Sequence, residues 1–353
     1  MSVVSKDGAS DPAARIAIVS SPRSGNTWLR GMLSRVFGLQ EFAIHTPEEL
    51  DWDHAPQRCV VQIHWMRTEP FTTLLEQHGF QVVTLARHPL DVLLSALNYN
   101  SYMHLDKACL QGPSCPACAI LEAKPRDPAF LDYCCTGEGP LILSHSPDWW
   151  SAPGVHRVRY EALVQKPHET LGALVADLGL DARKSIDEAV ADYDMKSLRS
   201  VREVTHYHYW QGRPGHWRTM LPAAEARQIA ATHTEVFNTL GYLCDPDESL
   251  TNLQADLNWF QVQHAAMRKH LNDERNKHEA TCRDLADARA WIASAKQIKE
   301  QAETPPVIAD SEIGSNRSWQ VHSALSTVFR RIARQTLPSD GSSASAMSSR
   351  HSA

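Results

Sequence analysis

The segment Ser20–Trp28 has the composition best suited to bind an anion, reading Ser-Ser-Pro-Arg-Ser-Gly-Asn-Thr-Trp. It follows the short, branched apolar run Ile16–Ser20 and opens a helical pattern. A loop between a buried strand and a helix presents backbone N–H groups and the positive end of the helix dipole to an anion, and Arg23 adds a formal charge. The segment has one glycine and no Lys-Ser or Lys-Thr pair, so it is not the loop of nucleoside triphosphatases.

A second arginine stands at a similar place in the segment Leu85–Ser95. Arg87 ends a predicted strand and Ser95 lies two turns into the next helix, so both side chains can face one crevice. We expect Asp91 to hold the turn. Alone, this segment is equally typical of an ordinary helix start, but its position after the first motif favours a binding role.

A candidate general base lies at the end of another predicted strand, in Gln62-Ile63-His64. Histidine suits proton transfer because its ordinary pKa is near neutral pH. Because the chain has 18 histidines, the residue type alone does not select a candidate; His64 is selected by its position at a strand end. His45 and His216 are the alternatives, since both lie near predicted loop ends.

Together these segments resemble the sulfotransferases that use 3′-phosphoadenosine 5′-phosphosulfate (PAPS). The resemblance rests on Pro-Arg-Ser-Gly-Asn-Thr-Trp, on the spacing of Arg87 and Ser95, on Tyr160-Glu161, and on the loop Gly-Arg-Pro-Gly-His-Trp-Arg at 212–218. It covers about residues 16–242 and is weakest in the middle. It implies an α/β fold with a doubly wound parallel sheet like that of P-loop NTPases, release of 3′-phosphoadenosine 5′-phosphate (PAP), and no required metal.

The resemblance also implies a role for each motif. The first segment would bind the 5′-phosphosulfate, Arg87 and Ser95 the 3′-phosphate, and Tyr160 would lie near the adenine. His64 would deprotonate the acceptor, while Arg23 would stabilise charge on the leaving phosphate. The candidate donor-binding residues are Arg23, Ser24, Gly25, Asn26, Thr27, Trp28, Arg87, Ser95, Tyr160, Gly212, Arg213, Gly215 and Arg218.

Two positions depart from the family pattern. Gln62 replaces a lysine that often assists the transfer, so we expect Arg23 to carry more of the electrostatic load. Trp210 replaces an arginine that contacts the 3′-phosphate, and Arg213 or Arg218 is a candidate substitute. The acceptor, a small molecule or a glycan carrying a hydroxyl or an amine, is not identified. A nucleotide kinase of similar fold and a nucleotide-binding scaffold with an inactive domain stay open as alternatives.

The elements that would position these residues alternate between strand and helix, which indicates right-handed βαβ units. Ligands bind at the carboxyl ends of strands in such sheets, where the motifs stand. The predicted strands are Ile16–Ser20, Cys59–Ile63, Gln81–Ala86 and Val155–Arg159. The predicted helices are Thr27–Phe37, Pro70–His78, Pro89–Leu97, Thr170–Leu178 and Ala223–Leu240.

The catalytic domain is expected at 15–245, after a disordered N-terminus at 1–14. Residues about 100–150 lose the strand–helix pattern, and we interpret them as an insertion that carries acceptor specificity. This stretch holds a cysteine cluster that could be zinc ligands, a disulfide or unlinked thiols. Its members are Cys109, Cys115, Cys118, Cys134 and Cys135.

Residues 246–303 predict a long helix, because apolar residues recur every seven positions from Leu250 and Leu253. Such a period is typical of a coiled coil, which would make the chain a homodimer through 250–295. The alternative is a single amphipathic helix lying on the catalytic domain. Residues 304–353 predict a mostly disordered tail with a short basic amphipathic helix at about 319–337.

Composition limits the remaining classes of function. A net charge of −6 argues against nucleic-acid binding, which usually needs a basic surplus. No apolar run approaches the roughly 20 residues that span a bilayer, and no secretory signal is visible. We therefore expect a cytoplasmic location, with the eight cysteines mostly reduced.

Overall fold

The computed structural model describes residues 12–103, 120–194 and 212–303. A parallel sheet of five strands in the order β2-β3-β1-β4-β5 forms its centre. The strands are β1 (Ala14–Val19), β2 (Gln40–Ala43), β3 (Arg58–Ile63), β4 (Gln81–Ala86) and β5 (His156–Arg159). The order reverses on either side of β1, so the crevice expected at such a switch point lies beside the carboxyl end of β1.

Helices cover both faces of the sheet and continue beyond it. They are α1 (Asn26–Phe37), α2 (Glu69–Gln77), α3 (Pro89–Met103), α4 (Pro128–Cys135), α5 (Gly139–Trp150), α6 (Tyr160–Gln165), α7 (Pro167–Leu178), α8 (Ile186–Asp192), α9 (Trp217–Met220), α10 (Ala223–Thr232), α11 (Thr234–Leu240) and α12 (Asn252–Glu303). The predicted doubly wound α/β fold with a C-terminal helical extension is confirmed. One predicted helix, Ala223–Leu240, is in fact two helices that meet at His233, a buried residue whose ring bonds the Cys134 carbonyl.

Alternate side chains of β1 supply two separate cores. Ile16 and Ile18 are fully buried on the face covered by α1 and α7. Ala17 and Val19 point to the opposite face and pack with α2 and with Trp149 of α5. This period of two is what a strand covered on both sides must show.

The described part of residues 100–150 contains regular structure, whereas the interpretation of this stretch as an insertion that carries acceptor specificity stays a prediction. Both α4 and α5 fall there, and Phe130 and Trp149 are buried in the domain core. Proline, glycine and cysteine at the helix ends interrupt the apolar period, which hid these helices in the sequence. Cys134 and Cys135 are free thiols, and burial raises the pKa of Cys134 well above its ordinary value.

Several predictions lie outside the described residues. They concern the N-terminus up to residue 11, Trp210, the tail from 304 with its basic helix at about 319–337, and the cysteines Cys109, Cys115 and Cys118. Residues 104–119, which are part of the proposed specificity insertion, also lie outside the described residues.

The predicted long C-terminal helix is confirmed as α12, although the chain divides into two units at Asp273. In the first unit, α12 packs on the domain through the buried Trp259, and its Asn258 donates to the Thr219 carbonyl at 2.8 Å. In the second unit, residues 274–300 are exposed except for Ala280, which is half-buried. Among the described residues, no helix has the length and apolar character needed to cross a membrane.

Candidate active site

A cavity of about 540 Å³ lies where β1, β3 and β4 end, within the size range of ligand sites. Its lining contains most of the predicted site residues: Arg23, Gly25, Asn26, Thr27, Trp28, His64, Arg87, Ser95, Tyr160 and Gly212. Residues that sequence reasoning did not select also line it, namely Arg30 and Tyr99. Ser24, Arg213, Gly215 and Arg218 are not part of this lining.

The loop between β1 and α1 is held in one conformation by buried hydrogen bonds. Asn26 bonds the Ser20 hydroxyl and donates to the Ser21 carbonyl at 2.9 Å. From α5, Ser146 accepts a bond from the Ser21 N–H at 2.8 Å and donates to the Leu85 carbonyl of β4 at 2.6 Å. The loop is therefore anchored to its own helix and to the neighbouring strand.

Two residues of this loop have left-handed backbone conformations. Gly25 has a φ of +102°, and a Cβ at this position would lie 2.7 Å from the Tyr160 ring, so only glycine fits. Arg23 has a φ of +64°, which costs a non-glycine residue about 1–2 kcal/mol. Strain of this kind concentrates at functional sites, where the surrounding structure holds it.

Two arginines meet inside the cavity. Arg87 donates to the Arg23 carbonyl at 2.9 Å, and Arg23 Nε donates to the Ser95 hydroxyl at 3.2 Å. The guanidinium group of Arg87 lies 4.5 Å from the ring centre of Tyr160, and that of Arg23 lies 4.5 Å from the ring centre of Tyr99. Burial lowers the pKa of Arg23 to about 10, and the charge of Arg87 contributes to this shift, so Arg23 remains cationic at neutral pH. An anion would relieve this concentration of positive charge.

Further polar atoms around the loop are buried without a partner. Arg87 Nε and the Ser24 hydroxyl form no hydrogen bond to any residue that the structure describes. An unsatisfied buried donor costs about 1–3 kcal/mol, so these groups are suited to bind a ligand's oxygen atoms. Ser24 is buried and is not part of the cavity lining, but it belongs to the same loop.

His64 stands at the end of β3 with a defined tautomer. Its Nδ1 lies 2.7 Å from the Ser20 carbonyl oxygen, which can only accept, so Nδ1 carries the proton and Nε2 keeps its lone pair. Burial is the main cause that lowers the pKa of His64 to about 4; interactions with His145 and Arg23 also lower it, and the hydrogen bond to the Ser20 carbonyl opposes the shift. The ring is therefore neutral at pH 7 and able to accept a proton.

Arg30 brings a third positive charge to the cavity. It donates to the Gln62 side-chain oxygen at 2.9 Å and pairs with Glu41 at 3.0 Å. Gln62 is the residue that replaces the family's lysine. Arg30 follows Asn26 by one helical turn, so the periodicity of α1 could have identified it as a candidate.

The loop that begins at Gly212 is tied to the start of α3 by Asp91. The carboxylate is fully buried and accepts from the N–H groups of Gly215 at 2.6 Å and Trp217 at 3.0 Å. The Trp217 ring stacks on His88 with ring centres 4.8 Å apart. Asp91 therefore does more than hold its own turn, because it joins the segment Leu85–Ser95 to the loop at 212–218.

Arg218 lies beside Asp245, outside the cavity lining. Its guanidinium pairs with Asp245, donates to the Asp245 carbonyl at 3.1 Å and lies over the Trp217 ring. Arg213 and Gly215 stand on the same loop outside the cavity lining, whereas Gly212 is part of it. The donor contacts of Arg213, Gly215 and Arg218 stay predictions.

A sulfotransferase domain model matches residues 13–240 of the chain. The chain therefore belongs to the sulfotransferase domain family, and the predicted class of enzyme is confirmed. The matched region agrees with the range over which the sequence motifs resemble that family.

Three of the solved structures to which the chain is similar are the following. Mouse sulfotransferase SULT7A1 complexed with PAP is 18% identical, with a TM-score of 0.49 over 64% of this chain and 85% of that chain. Retinol dehydratase in complex with androsterone and the inactive cofactor PAP is 14% identical, with a TM-score of 0.45 over 63% and 80%. The sulfotransferase domain of the Synechococcus PCC 7002 olefin synthase is 18% identical, with a TM-score of 0.34 over 67% and 98%. A comparison with curated proteins gives no significant match.

Proposed function

We propose that this chain transfers a sulfuryl group from PAPS to a hydroxyl or an amine of its acceptor and releases PAP. The observation that carries the proposal is a pair of arginines in contact, the buried Arg87 and the half-buried Arg23, beside a neutral histidine at the same strand ends. PAPS carries a phosphosulfate and a phosphate on one ribose, which suits two cationic groups in one cavity. Arg87 Nε and the Ser24 hydroxyl are buried donors without partners among the described residues, so they fit oxygen-rich groups of this kind.

His64 acts as the general base. Its Nε2 takes the proton from the acceptor as the acceptor's oxygen or nitrogen forms a bond to sulfur. The bond between sulfur and the 5′-phosphate oxygen breaks at the same time, and the electron pair stays on that oxygen. Because the Ser20 carbonyl fixes the tautomer, the lone pair is available without rearrangement.

Positive groups stabilise the charge that builds up on the leaving phosphate. Arg23, with the N-terminal N–H groups of α1, faces this charge, as the first motif predicts. Arg30 acts with it, because its hydrogen bond to Gln62 holds a guanidinium beside the position of the family's lysine. Group transfers of this type depend mainly on positioning and charge stabilisation. No step in this scheme requires a metal ion.

The acceptor side of the cavity is polar. Arg30, His45 and Gln62 line it together with Ala43, which suits a hydroxyl-bearing small molecule or an exposed sugar of a glycan. We propose this class of acceptor from the polarity of the lining. A cytoplasmic location stays a prediction from the sequence.

Calorimetry with PAP and an acceptor panel with labelled PAPS test the proposal. His64→Ala should reduce turnover by about 10²–10⁴ while leaving PAP affinity within a few fold, because the proposed phosphate contacts are made by other residues, Arg23 and Arg87. His54→Ala, at an exposed histidine paired with Asp51, is the matched control and should leave both unchanged. Near-normal turnover of His64→Ala would place the base elsewhere, with His45 the next candidate in the cavity.

The donor site has its own test. Arg87→Ala should weaken PAP binding at least about tenfold, because a charge-assisted contact contributes roughly 1.5–3 kcal/mol. Arg35→Ala removes an arginine that is paired with Asp192 on the surface, and it should not change the affinity. Tight PAP binding without turnover on any acceptor would support the inactive scaffold, whereas phosphoryl transfer from a nucleoside triphosphate would support the kinase.

A further inference from the structure

The first turns of α12 carry two apolar faces. Ala255 and Trp259 are buried against the domain. Leu253, Leu257 and Phe260 remain 80%, 45% and 63% exposed. At about 100° of rotation per residue, these two sets are centred roughly 150° apart around the helix. The domain therefore covers one apolar face and leaves the other to solvent.

The exposed face continues along α12 in steps of three and four residues. We call this face the seam, and it comprises Leu253, Leu257, Phe260, His264, Met267, Leu271, Glu274, His278, Thr281, Leu285, Ala288, Ile292 and Ala295. In the first unit, Met267 and Leu271 are exposed, and in the second unit Leu285 and Ile292 are exposed. Helical segments with so few contacts are marginal in water, so an apolar seam of this length needs a partner helix.

The heptad spacing of the seam indicates what covers it. A repeat of seven residues is the pattern of helices that pack along each other's length, and a second copy of this chain offers the same repeat. The polar positions Glu274, His278 and Thr281 then decide the direction of the pair. In a parallel pair in register, Glu274 would face the partner's Glu274, and two buried like charges repel.

An antiparallel pair removes this repulsion. One register places Glu274 opposite the partner's His278, and by symmetry His278 opposite the partner's Glu274. The same register places Met267 against the partner's Leu285 and Phe260 against the partner's Ile292, so apolar positions face apolar positions. We propose that a second copy of this chain covers the seam, with the two helices antiparallel and Glu274 opposite the partner's His278.

A charge exchange between these two positions tests the direction. Analytical ultracentrifugation of the full chain measures the dimer dissociation constant. His278→Glu alone places two carboxylates together and should raise this constant at least about tenfold, and Glu274→Lys alone should also raise it. The double variant places opposite charges against each other only in the antiparallel pair, so it should return the constant to near the wild-type value. If the double variant is as weak as the single ones, the proposed direction is overturned.

Leu285→Glu tests the seam itself. Each copy loses one buried leucine, so the dissociation constant should rise at least about a hundredfold. The matched control is Ala290→Glu, which adds the same charge to an exposed position off the seam and should leave the constant unchanged. Circular dichroism checks that both variants keep their helix content. A wild-type chain that stays monomeric throughout a concentration series, or a dimer that tolerates Leu285→Glu, overturns the proposal.

A photo-crosslinker gives an independent reading of the register. With p-benzoylphenylalanine in place of Met267, irradiation of the full chain should join this position to the peptide around the partner's Leu285. Mass spectrometry of the digested dimer identifies the joined peptides. A link to the peptide around the partner's Met267 would show a parallel pair and overturn the proposed direction.

Discussion

Asp91→Asn should destabilise the domain although it barely changes the size of the side chain. The carboxylate of Asp91 is fully buried and accepts two backbone N–H groups, from Gly215 and Trp217. An amide oxygen can keep one of these bonds, while the amide NH₂ would point at the other N–H. A hydrogen bond to a charged group contributes about 1.5–3 kcal/mol, so we expect a loss of about 2 kcal/mol in the free energy of unfolding.

Urea unfolding followed by circular dichroism measures this loss. Asp187→Asn is the matched control, because Asp187 also lies in the first turn of a helix but its side chain is 89% exposed. We expect the control to change stability by less than about 0.5 kcal/mol. Equal unfolding midpoints for Asp91→Asn and the wild type would refute the reasoning that these two bonds hold the loop.

The same variant should weaken the donor site indirectly. Gly212 lines the cavity, and the loop that follows it is fastened to α3 by Asp91. We expect weaker PAP binding by calorimetry for Asp91→Asn, with a larger entropic penalty, because the loop must be ordered on binding. An unchanged affinity in a destabilised protein would show that the loop does not help to hold the nucleotide.

Further predictions concern the loop between β1 and α1 and the proposed base, His64. Arg23→Gly and Arg23→Ala should weaken PAP binding equally, but the glycine variant should be about 1 kcal/mol more stable to urea, since glycine accepts the left-handed backbone. Gly25→Ala should cost at least about 2 kcal/mol of stability through its φ and its contact with Tyr160, measured in the same assay. Burial keeps the pKa of His64 near 4, so the base form persists above that pH; the acid limb of kcat/KM should fall near pH 4, and a limb near 6.5 would contradict the burial argument.

The sequence predicted elements whose buried residues show a clear period. Strands β1, β3 and β4 are mainly apolar and central, and the sequence located them within two residues of their ends; the edge strand β5, with Val158 buried, was located equally well. The edge strand β2 is mostly exposed and polar, so its sequence carries no such pattern. It was missed for that reason.

Some residues of the candidate site could likewise be identified from the sequence, and others could not. Motifs at strand ends, such as Arg23, His64 and Arg87, could be identified because the sheet brings the carboxyl ends of its strands together. Ser146 could not be identified in this way, since its contact with the loop between β1 and α1 joins positions 125 residues apart through the packing of α5. Tyr99 was missed because an aromatic residue on a helix more often belongs to a core than to a ligand site.

The hydrogen bonds that join Arg23 and Arg87 have a consequence for how the two ends of a nucleotide are recognised. Each arginine touches the other's segment, since Arg87 bonds the Arg23 carbonyl and Arg23 bonds Ser95. A change at either one therefore disturbs the support of both, and their effects on affinity should not add. At the proposed donor site, the two arginines would act as one thermodynamic unit, so a change in the contact with the ribose phosphate would also alter the contact with the sulfated end.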